Sequence, residues 1–128
     1  MQPRTNLPSG APWEAIVGYS RAVKVGPLIE ISGTTAIDGD KIVGEDDAYR
    51  QTQYILQKTE KTLAQLGASL HHVVRTRIYV TNINQWEDVG RAHGEFFKDI
   101  RPATAMVEVS ALIDHRMLVE IEFTAWLG

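Results

Sequence analysis

The feature that most constrains the fold is the order in which helical and strand periodicities follow one another along the chain. Residues 46–66 carry apolar or small side chains about every 3.6 positions and end at Gly67, which predicts a helix with a glycine stop. Residues 73–81 then alternate in polarity, as a strand does. A second helix is predicted from Asn84, with Glu87 reaching back to form a variant of the capping box.

Further strands are predicted on both sides of this helix–strand–helix unit, at 21–25, 28–32, 41–43, 105–109 and 117–126. The first pair flanks Gly26-Pro27 and reads as a hairpin. Since strand–helix–strand crossovers are right-handed, each helix returns to pack on the sheet. We therefore expect a single α+β domain over residues 1–128, with a mixed sheet, two helices on one face and an irregular lead-in over residues 1–15.

Two helices leave the other face of such a sheet uncovered, and the sequence makes that face mixed in character. The apolar set of the last strand (Val119, Ile121, Phe123, Ala125) belongs under the helices. The opposite set combines aromatic, apolar and charged side chains: Tyr79, Trp126, Leu118, Arg75, Arg77, Glu108, Glu120, Glu122 and Thr124. A solvated face is one interpretation. Aromatic and arginine side chains are enriched at interfaces, which favours the other interpretation, a contact between subunits.

Composition excludes several classes of function. The chain has no cysteine, which excludes disulfides, thiolate metal sites and a cysteine nucleophile. The net charge is −3 and no basic run is present, which disfavours phosphate-driven binding of nucleic acid. No apolar run has the length of a membrane span, and the polar, proline-rich start lacks the apolar core of a signal peptide. We expect a cytoplasmic protein without a membrane partner.

The histidines do not form a metal-binding pattern. His71 and His72 are adjacent, so that their side chains diverge in regular structure. His93 and His115 fall in other segments, without the carboxylate spacing of known zinc motifs. No glycine-rich phosphate loop and no nucleophile elbow are present. We expect no metal site.

Several segments together resemble one family. They are residues 18–23 (Gly-Tyr-Ser-Arg-Ala-Val), 31–35 (Ile-Ser-Gly-Thr-Thr), 101–109 (Arg-Pro-Ala-Thr-Ala-Met-Val-Glu-Val) and 119–122 (Val-Glu-Ile-Glu). They resemble the Rid family of reactive intermediate deaminases, also called the YjgF family and formerly known as L-PSP endoribonucleases. The resemblance covers nearly the whole chain after the lead-in.

The resemblance implies a chorismate-mutase-like fold and a homotrimer in which the uncovered sheet faces surround the axis and small-molecule clefts lie between subunits. The best-known members hydrolyse reactive imines and enamines that leak from pyridoxal-phosphate enzymes, and they release a 2-keto acid and ammonia. They use no bound cofactor or metal. We therefore expect no cofactor here.

Site residues carry over only in part. Positions that match the family's site are Tyr19, Ser32, Gly33 and Glu120. Active members hold the substrate carboxylate with an Arg after the Pro-Ala dipeptide, where this chain has Thr104, and deaminases often have Asn where this chain has Gly90. The chain thus resembles a branch without the carboxylate-binding Arg.

The same residues have alternative interpretations. Glu120 is the candidate catalytic residue, placing the attacking water, or it forms a salt bridge with a neighbouring Arg. Tyr19, Ser32 and Gly33 are candidate substrate-binding residues, against plain packing and turn chemistry. Arg101 is a candidate replacement for the missing guanidinium, or a surface residue at a helix end. Trp86 and Thr104 complete the candidate binding set, and core or interface packing is the alternative for Trp86.

The main hypothesis is a trimeric Rid-like hydrolase that deaminates a reactive imine, enamine or related small nitrogen compound. The alternative is a non-catalytic, ligand-binding or chaperone-like member on the same scaffold, which Thr104 keeps open. A ribonuclease is disfavoured by the acidic net charge and by the lack of a basic groove.

Overall fold

The computed structural model describes residues 3–128, which form an α+β fold with a six-stranded mixed sheet and two main helices. The helices are α1 (Ala48–Gln65) and α2 (Trp86–Phe97). Short helical turns occupy Glu14–Gly18, Leu70–His72 and Ile83–Gln85. The strands are β1 (Arg4–Leu7), β2 (Ala22–Val25), β3 (Leu28–Thr34), β4 (Ile37–Asp38), β5 (Lys41–Ile42), β6 (Val73–Val80), β7 (Ala103–Glu108) and β8 (Val119–Trp126).

The sheet order β1-β2-β3-β8-β6-β7 places the last strand of the chain near the centre. β8 is antiparallel to both β3 and β6, so β3 and β6 are parallel to each other with β8 between them. α1 therefore connects two parallel strands across a gap, and β8 fills that gap. β6 and β7 are directly parallel, with α2 as their crossover. β4 and β5 form a separate two-stranded ribbon before α1.

The ends of α1 follow from local sequence. The side chain of Asp47 accepts a hydrogen bond from the backbone N–H of Arg50 at 3.0 Å, which caps the first turn. At the other end Gly67 has a φ of +78°, and the N–H of Ala68 reaches back to the carbonyl of Leu63. This is a Schellman motif, so the predicted glycine stop is confirmed, and the helix is shorter than predicted by two residues at its start and one at its end.

The core lies between the helices and one face of the sheet. The predicted apolar set of β8 is confirmed, since all four side chains are fully buried (Val119, Ile121, Phe123, Ala125). They pack with fully buried side chains of α1 and α2 such as Ile55, Leu56, Leu63 and Val89. Both helices cover the same face, as predicted, and the opposite face of the sheet is left for the mixed polar set. Within residues 3–128, neither helix has the length and apolar character needed to cross a membrane.

The lead-in is more regular than predicted. Residues Arg4–Leu7 form β1, which pairs antiparallel with β2 from Arg4 opposite Val25 to Leu7 opposite Ala22. The expectation of an irregular segment was wrong here, because Arg-Thr-Asn-Leu has no alternation to predict a strand. Residues Arg4–Leu7 are ordered because the backbone edge of β2 supplies their hydrogen-bond partners.

A register shift in β6 changes which side chains point inward. The register with β8 is interrupted between Val73 and Arg75. Val73 is therefore buried, with 3% of its surface exposed, whereas Val74 is 49% exposed. Simple alternation assigns Val74 to the buried set, and the extra residue of the bulge overturns that assignment.

Two members of the predicted uncovered face lie elsewhere. Glu108 pairs in register with the buried Val80, so it belongs to the helix side of the sheet, and its carboxylate accepts from the N–H of Ile83. Leu118 precedes β8 and packs against the core. Strand alternation cannot be extended past the end of a strand, which explains Leu118, whereas the side of Glu108 is set by the register of β7 with β6.

The start of α2 also differs from the prediction. Asn82, not Asn84, accepts the capping hydrogen bond, from the N–H of Asn84 at 3.0 Å, and it caps a short 3₁₀ turn. The α-helix proper begins at Trp86 without a side-chain cap. The predicted pairing of Asn84 with Glu87 does not form, because the 3₁₀ turn moves the first α-helical residue two positions along the chain.

Candidate functional site

A cavity of about 790 Å³ lies where β3 ends and β8 begins, beside α1. Three of the residues predicted from the family resemblance line it: Tyr19, Gly33 and Glu120. Much of the remaining wall is apolar or aromatic, from Trp13, Val17, Ile37, Tyr54, Ile113 and Met117. A concave, largely apolar cavity with a few polar groups is typical of a small-molecule site.

Gly33 allows the carboxylate of Glu120 to approach the backbone. β3 and β8 lose their regular register between Ile31 and Thr34, and Gly33 falls within that irregularity. A β-carbon added at Gly33 would lie 2.8 Å from both Cδ and Oε2 of Glu120. No side chain larger than that of glycine fits at position 33 unless the Glu120 carboxylate moves.

Glu120 lies in surroundings that favour its neutral form. It is half-buried, and its pKa is raised by loss of hydration and then by repulsion from Glu122, while the positive charge of Arg21 acts in the opposite direction. A carboxyl group whose pKa is raised in a cavity is suited to general acid–base chemistry. The predicted alternative, a salt bridge, does not form within residues 3–128, where the ion pairs are Arg91–Asp88, His115–Asp114 and Arg116–Asp114.

Tyr19 is held in place by the turn before β2. The single helical turn Glu14–Gly18 ends with Gly18 at a φ of +88°, and the N–H of Tyr19 donates to the carbonyl of Glu14 at 3.1 Å. Only glycine readily adopts this conformation, so Gly18 sets the direction in which the chain enters the cavity wall. Tyr19 thereby lines the same cavity as Glu120.

Sequence reasoning missed two basic residues of this cavity, Arg21 and Lys58. Nη2 of Arg21 donates to the carbonyl of Gly33 at 2.6 Å. Nζ of Lys58 donates to the carbonyls of Thr35 and Ile37, at 2.8 and 2.9 Å. Arg21 was part of the family-like segment 18–23, but nothing in that segment distinguished it as a site residue. Lys58 has no sequence signal, because it falls at an unremarkable polar position of α1.

Ser32 faces a different surface from its neighbour Gly33. Its hydroxyl donates to the carbonyl of Ser20 at 2.6 Å, and the residue lines a shallow depression on the uncovered sheet face with Arg77 and Glu122. Within one chain, therefore, the hydroxyl of Ser32 tightens the β2–β3 hairpin and does not face the cavity.

The other candidate residues, Thr104, Arg101 and Trp86, lie away from the cavity. The hydroxyl of Thr104 on the edge strand β7 is 2.8 Å from the hydroxyl of Thr76, which in turn is 3.0 Å from Nε2 of His93. Trp86 begins α2 with 55% of its surface exposed, so it does not pack in the core of this chain.

Arg101 terminates α2. It has a φ of +57°, its N–H donates to the carbonyl of Phe97, and its Nε donates to the carbonyl of Lys98 at 2.9 Å. This arrangement matches one of the two interpretations of Arg101 from the sequence, a surface residue at a helix end; the other was a replacement for the missing carboxylate-binding Arg.

The uncovered sheet face carries cations without ion-pair partners in the described part of the chain. Tyr79 donates to the carboxylate of Glu122 at 2.9 Å, and Thr124 donates to Glu30. Arg75 and Arg77 take part in none of the ion pairs within residues 3–128. Pairing of these arginines with carboxylates of another subunit stays a prediction.

The comparisons with known proteins agree with the fold. The family described as Endoribonuclease L-PSP matches residues 9–127. The structure of Rv2704 from Mycobacterium tuberculosis, a member of the YjgF/YER057c/UK114 family, is similar with a TM-score of 0.88 and 49% identity, covering 97% of this chain and 99% of that one.

Two curated relatives span nearly the same length. An uncharacterised protein of Streptomyces coelicolor is 39% identical over 94% of this chain and 90% of its own. The 3-aminoacrylate deaminase RutC of Acinetobacter baylyi is 28% identical over 93% of this chain and 94% of its own. With the family match over nearly the whole chain and the matching fold, this chain belongs to the YjgF or Rid family of L-PSP endoribonuclease-like proteins.

Proposed function

We propose that this protein is a hydrolase that deaminates a small imine or enamine in the cavity lined by Tyr19, Gly33 and Glu120. The observation that carries the proposal is the half-buried carboxyl of Glu120, held over Gly33 in a largely apolar cavity. The relative from Acinetobacter baylyi, named for the deamination of 3-aminoacrylate, supports the same class of reaction.

The chemistry requires one group that can both accept and donate a proton. Water adds to the carbon of the protonated imine and gives a proton to the Glu120 carboxylate, which leaves a neutral carbinolamine. The protonated carboxyl then donates that proton to the amino nitrogen of the carbinolamine. As the C–N bond breaks and ammonia leaves, the hydroxyl group gives its proton back to Glu120 and becomes the carbonyl of the product. The raised pKa of the carboxyl lies closer to the working pH, which favours proton exchange. Tyr19 lies in the same cavity and can hydrogen-bond the substrate.

We propose that the working unit is a homotrimer. Thr104, Arg101 and Trp86 do not reach the cavity of their own chain, and β7 is an edge strand whose residues are largely exposed. The uncovered face holds Arg75 and Arg77 without ion-pair partners among the described residues. A second copy meeting these surfaces provides carboxylates for the arginines and completes the cleft. The lack of cysteine is compatible with a reducing compartment, and we assign the protein to the cytoplasm.

The test of the activity compares single-residue variants. An imine such as 2-aminoacrylate is generated enzymatically, and release of ammonia and of the oxo acid is followed. Glu120→Gln should lower the rate by about 10²–10⁴, because it removes the proton carrier. Glu60→Gln, an exposed carboxylate on α1, is the control and should leave the rate unchanged. Equal rates for the wild type and Glu120→Gln would remove Glu120 from the mechanism.

A non-catalytic ligand-binding protein is the second candidate. It is favoured by Thr104, whose hydroxyl is bonded within the chain to Thr76 where active members carry a carboxylate-binding Arg. For this candidate, the wild type should bind 2-oxo acids but accelerate no imine hydrolysis. Hydrolysis that depends on Glu120 would exclude it.

A further inference from the structure

The cavity contains two basic side chains that have no acidic partner within residues 3–128. Arg21 and Lys58 both line it and both are half-buried. The ion pairs of the described chain include neither of them. Asp38 and Glu120 line the same cavity but form no ion pair with Arg21 or Lys58 within residues 3–128, so both cations are available to an anion that arrives from outside.

The guanidinium of Arg21 is held in place by one hydrogen bond, and other N–H groups of it have no partner within residues 3–128. Its Nη2 donates to the carbonyl of Gly33, which fixes the guanidinium beside the irregularity of β3. Its Nε is buried and has no hydrogen-bond partner among the described residues, so the group left for a ligand is Nη1, which is not buried and forms none of the hydrogen bonds of residues 3–128. Glu120 is near enough to favour the charged form of Arg21 but is absent from the ion pairs of residues 3–128. A planar guanidinium with unused N–H groups is suited to a planar carboxylate.

Lys58 is held at the same cavity by two backbone carbonyls, Thr35 and Ile37. An ammonium has three N–H groups, so these contacts leave one of them for a ligand. The pKa of Lys58 is lowered to about 8, first by burial and then by the charge of Arg21, and Asp38 opposes this change. The two cations are therefore close enough to repel each other, and a bound anion would relieve that repulsion.

We propose that Arg21 and Lys58 form a carboxylate-binding subsite within the cavity of a single chain, which takes a small monocarboxylate with an apolar side chain. This subsite rests on the proposed function and defines its substrate class: the imine or enamine of a 2-oxo acid, held through its carboxylate by Arg21 and not by residue 104. It makes Arg21 a substrate-binding residue that orients the imine carbon toward Glu120.

The apolar part of the ligand follows from the rest of the wall. Trp13, Val17 and Ile113 line the cavity with 47%, 71% and 81% of their surfaces exposed. Covering such side chains is favourable in proportion to the apolar area removed from water. A cavity of about 790 Å³ also has room for a side chain longer than a methyl group. Inorganic phosphate would use the charge but not the apolar wall.

Binding of a stable product tests the subsite without turnover. The probe is 2-oxobutanoate, titrated by calorimetry and by NMR shifts of the wild-type protein, with neutral 2-oxobutanamide and inorganic phosphate in parallel. The acid should bind at least about tenfold more tightly than the amide, and likewise more tightly than phosphate. Arg21→Gln and Lys58→Gln should each weaken binding of the acid by about tenfold to a hundredfold, because a charged hydrogen bond is lost. Lys24→Gln is the control, because half-buried Lys24 donates to the Leu66 carbonyl outside the cavity.

The pH dependence provides a second readout. Apart from Lys58, the titratable groups of the cavity wall are Arg21, Asp38, Glu120 and the phenols of Tyr19 and Tyr54, and burial raises the pKa of Tyr54. Lys58, whose pKa is lowered to about 8, loses its charge in this range. Affinity for 2-oxobutanoate should fall as the pH rises through about 8, and Lys58→Gln should remove this dependence.

The outcomes separate the subsite from the proposed function. Binding that depends on Arg21 in a protein without deaminase activity would retain the subsite and overturn the enzyme. Activity that is unchanged in Arg21→Gln, or equal affinity for acid and amide, would overturn the subsite alone. If Arg21→Gln fails to fold, Arg21→Lys is the second variant. It keeps the positive charge but lacks the paired N–H groups of the guanidinium, and it should bind 2-oxobutanoate several-fold more weakly than the wild type. Full affinity in both Arg21→Lys and Lys58→Gln would refute the proposal.

Discussion

At the scale of single residues, the site depends on one close approach between Gly33 and Glu120. Gly33 has no side chain to separate the backbone of β3 from the carboxylate. The same glycine offers its carbonyl to Nη2 of Arg21, so one residue positions both the carboxyl group and the guanidinium of the cavity. The sequence predicted Gly33 and Glu120 as site residues by resemblance, and the structure adds the contact between them.

Gly33→Ala tests this contact. The added methyl group would lie 2.8 Å from Glu120 Cδ, and the end of a flexible side chain can move aside. We expect the fold to persist while deaminase activity falls by about a hundredfold or more, because misplacing a catalytic group by about 1 Å has effects of that order. The control is Gly94→Ala in α2, where a β-carbon meets nothing within 4 Å. It should leave activity unchanged and stabilise the helix by about 0.5–1 kcal/mol. Wild-type activity in Gly33→Ala would contradict the importance of the contact.

His93 predicts how stability depends on pH. Burial lowers the pKa of His93 to about 4, and its Nε2 lies 3.0 Å from the hydroxyl of Thr76. Between about pH 6.5 and pH 4 the unfolded chain binds a proton that the folded chain does not, so this contribution to stability falls as the pH falls. We expect a loss of about 1–2 kcal/mol from His93 between about pH 7 and pH 5 in urea unfolding. His93→Gln should remove that part of the pH dependence. The same slope in the variant would assign it to other groups.

At the scale of elements, α1 is connected to the loop before β8 through one buried side chain. Gln51 is fully buried, and its Nε2 donates to the carbonyls of Gly44 and Arg116 at 3.1 and 2.9 Å. Its Oε1 accepts from the N–H of Leu118 at 2.8 Å. This residue fixes the chain immediately before β8, the strand that carries Glu120. The helical pattern did not predict it, since a glutamine on the apolar face reads as an interruption.

Replacing Gln51 should destabilise the whole fold. Gln51→Leu keeps a similar volume but leaves three backbone groups without partners, and we expect a loss of about 2–4 kcal/mol in the free energy of unfolding. Gln57→Leu, on the exposed side of the same helix, should change stability by less than about 0.5 kcal/mol. Chemical denaturation of the two variants makes the comparison. A Gln51→Leu protein as stable as the wild type would mean that water replaces these bonds.

At the scale of the whole molecule, the uncovered sheet face has the composition of a surface that binds another subunit. It combines Arg75 and Arg77, which lack ion pairs among the described residues, with Trp126 at 51% and Val107 at 47% exposure. Half-exposed aromatic and apolar side chains among arginines are typical of interfaces between subunits. The proposed trimer covers this face and brings the edge strand β7 against another chain.

Arg77→Glu tests the assembly separately from the fold. Arg77 lies directly opposite Glu122 without an ion pair within the described chain, so reversing its charge should destabilise the monomer by no more than about 1 kcal/mol. If the arginine meets carboxylates of another subunit, the reversal should dissociate the trimer, since like charges brought together cost several kcal/mol. Sedimentation at micromolar concentration measures the outcome, with Lys61→Glu on the exposed side of α1 as the control. A wild-type monomer, or an intact Arg77→Glu trimer, would contradict this account.

The two helices, the strands β2, β3, β6, β7 and β8 and their order were predictable from the sequence, as was the covered face of the sheet. Helical spacing over residues 46–66 and alternation over residues 117–126 are local patterns, and burial of one face is their direct consequence. The resemblance of the motif segments to one family supplied Tyr19, Gly33 and Glu120 for the site. The inferences about the elements and the covered face hold because each depends on neighbours in the chain, and the roles of the three site residues stay predictions.

Only the tertiary structure decided the pairing of β1, the bulge that exposes Val74, and the meeting of Arg21, Lys58 and Glu120 in one cavity. The three site residues come from the start of β2, from α1 and from β8, so that no spacing in the sequence relates them. Their contact depends on strand register and on the side of the sheet that α1 covers. Both are set by packing of the whole chain, and a shift of one residue in β8 would turn the Glu120 side chain to the opposite face.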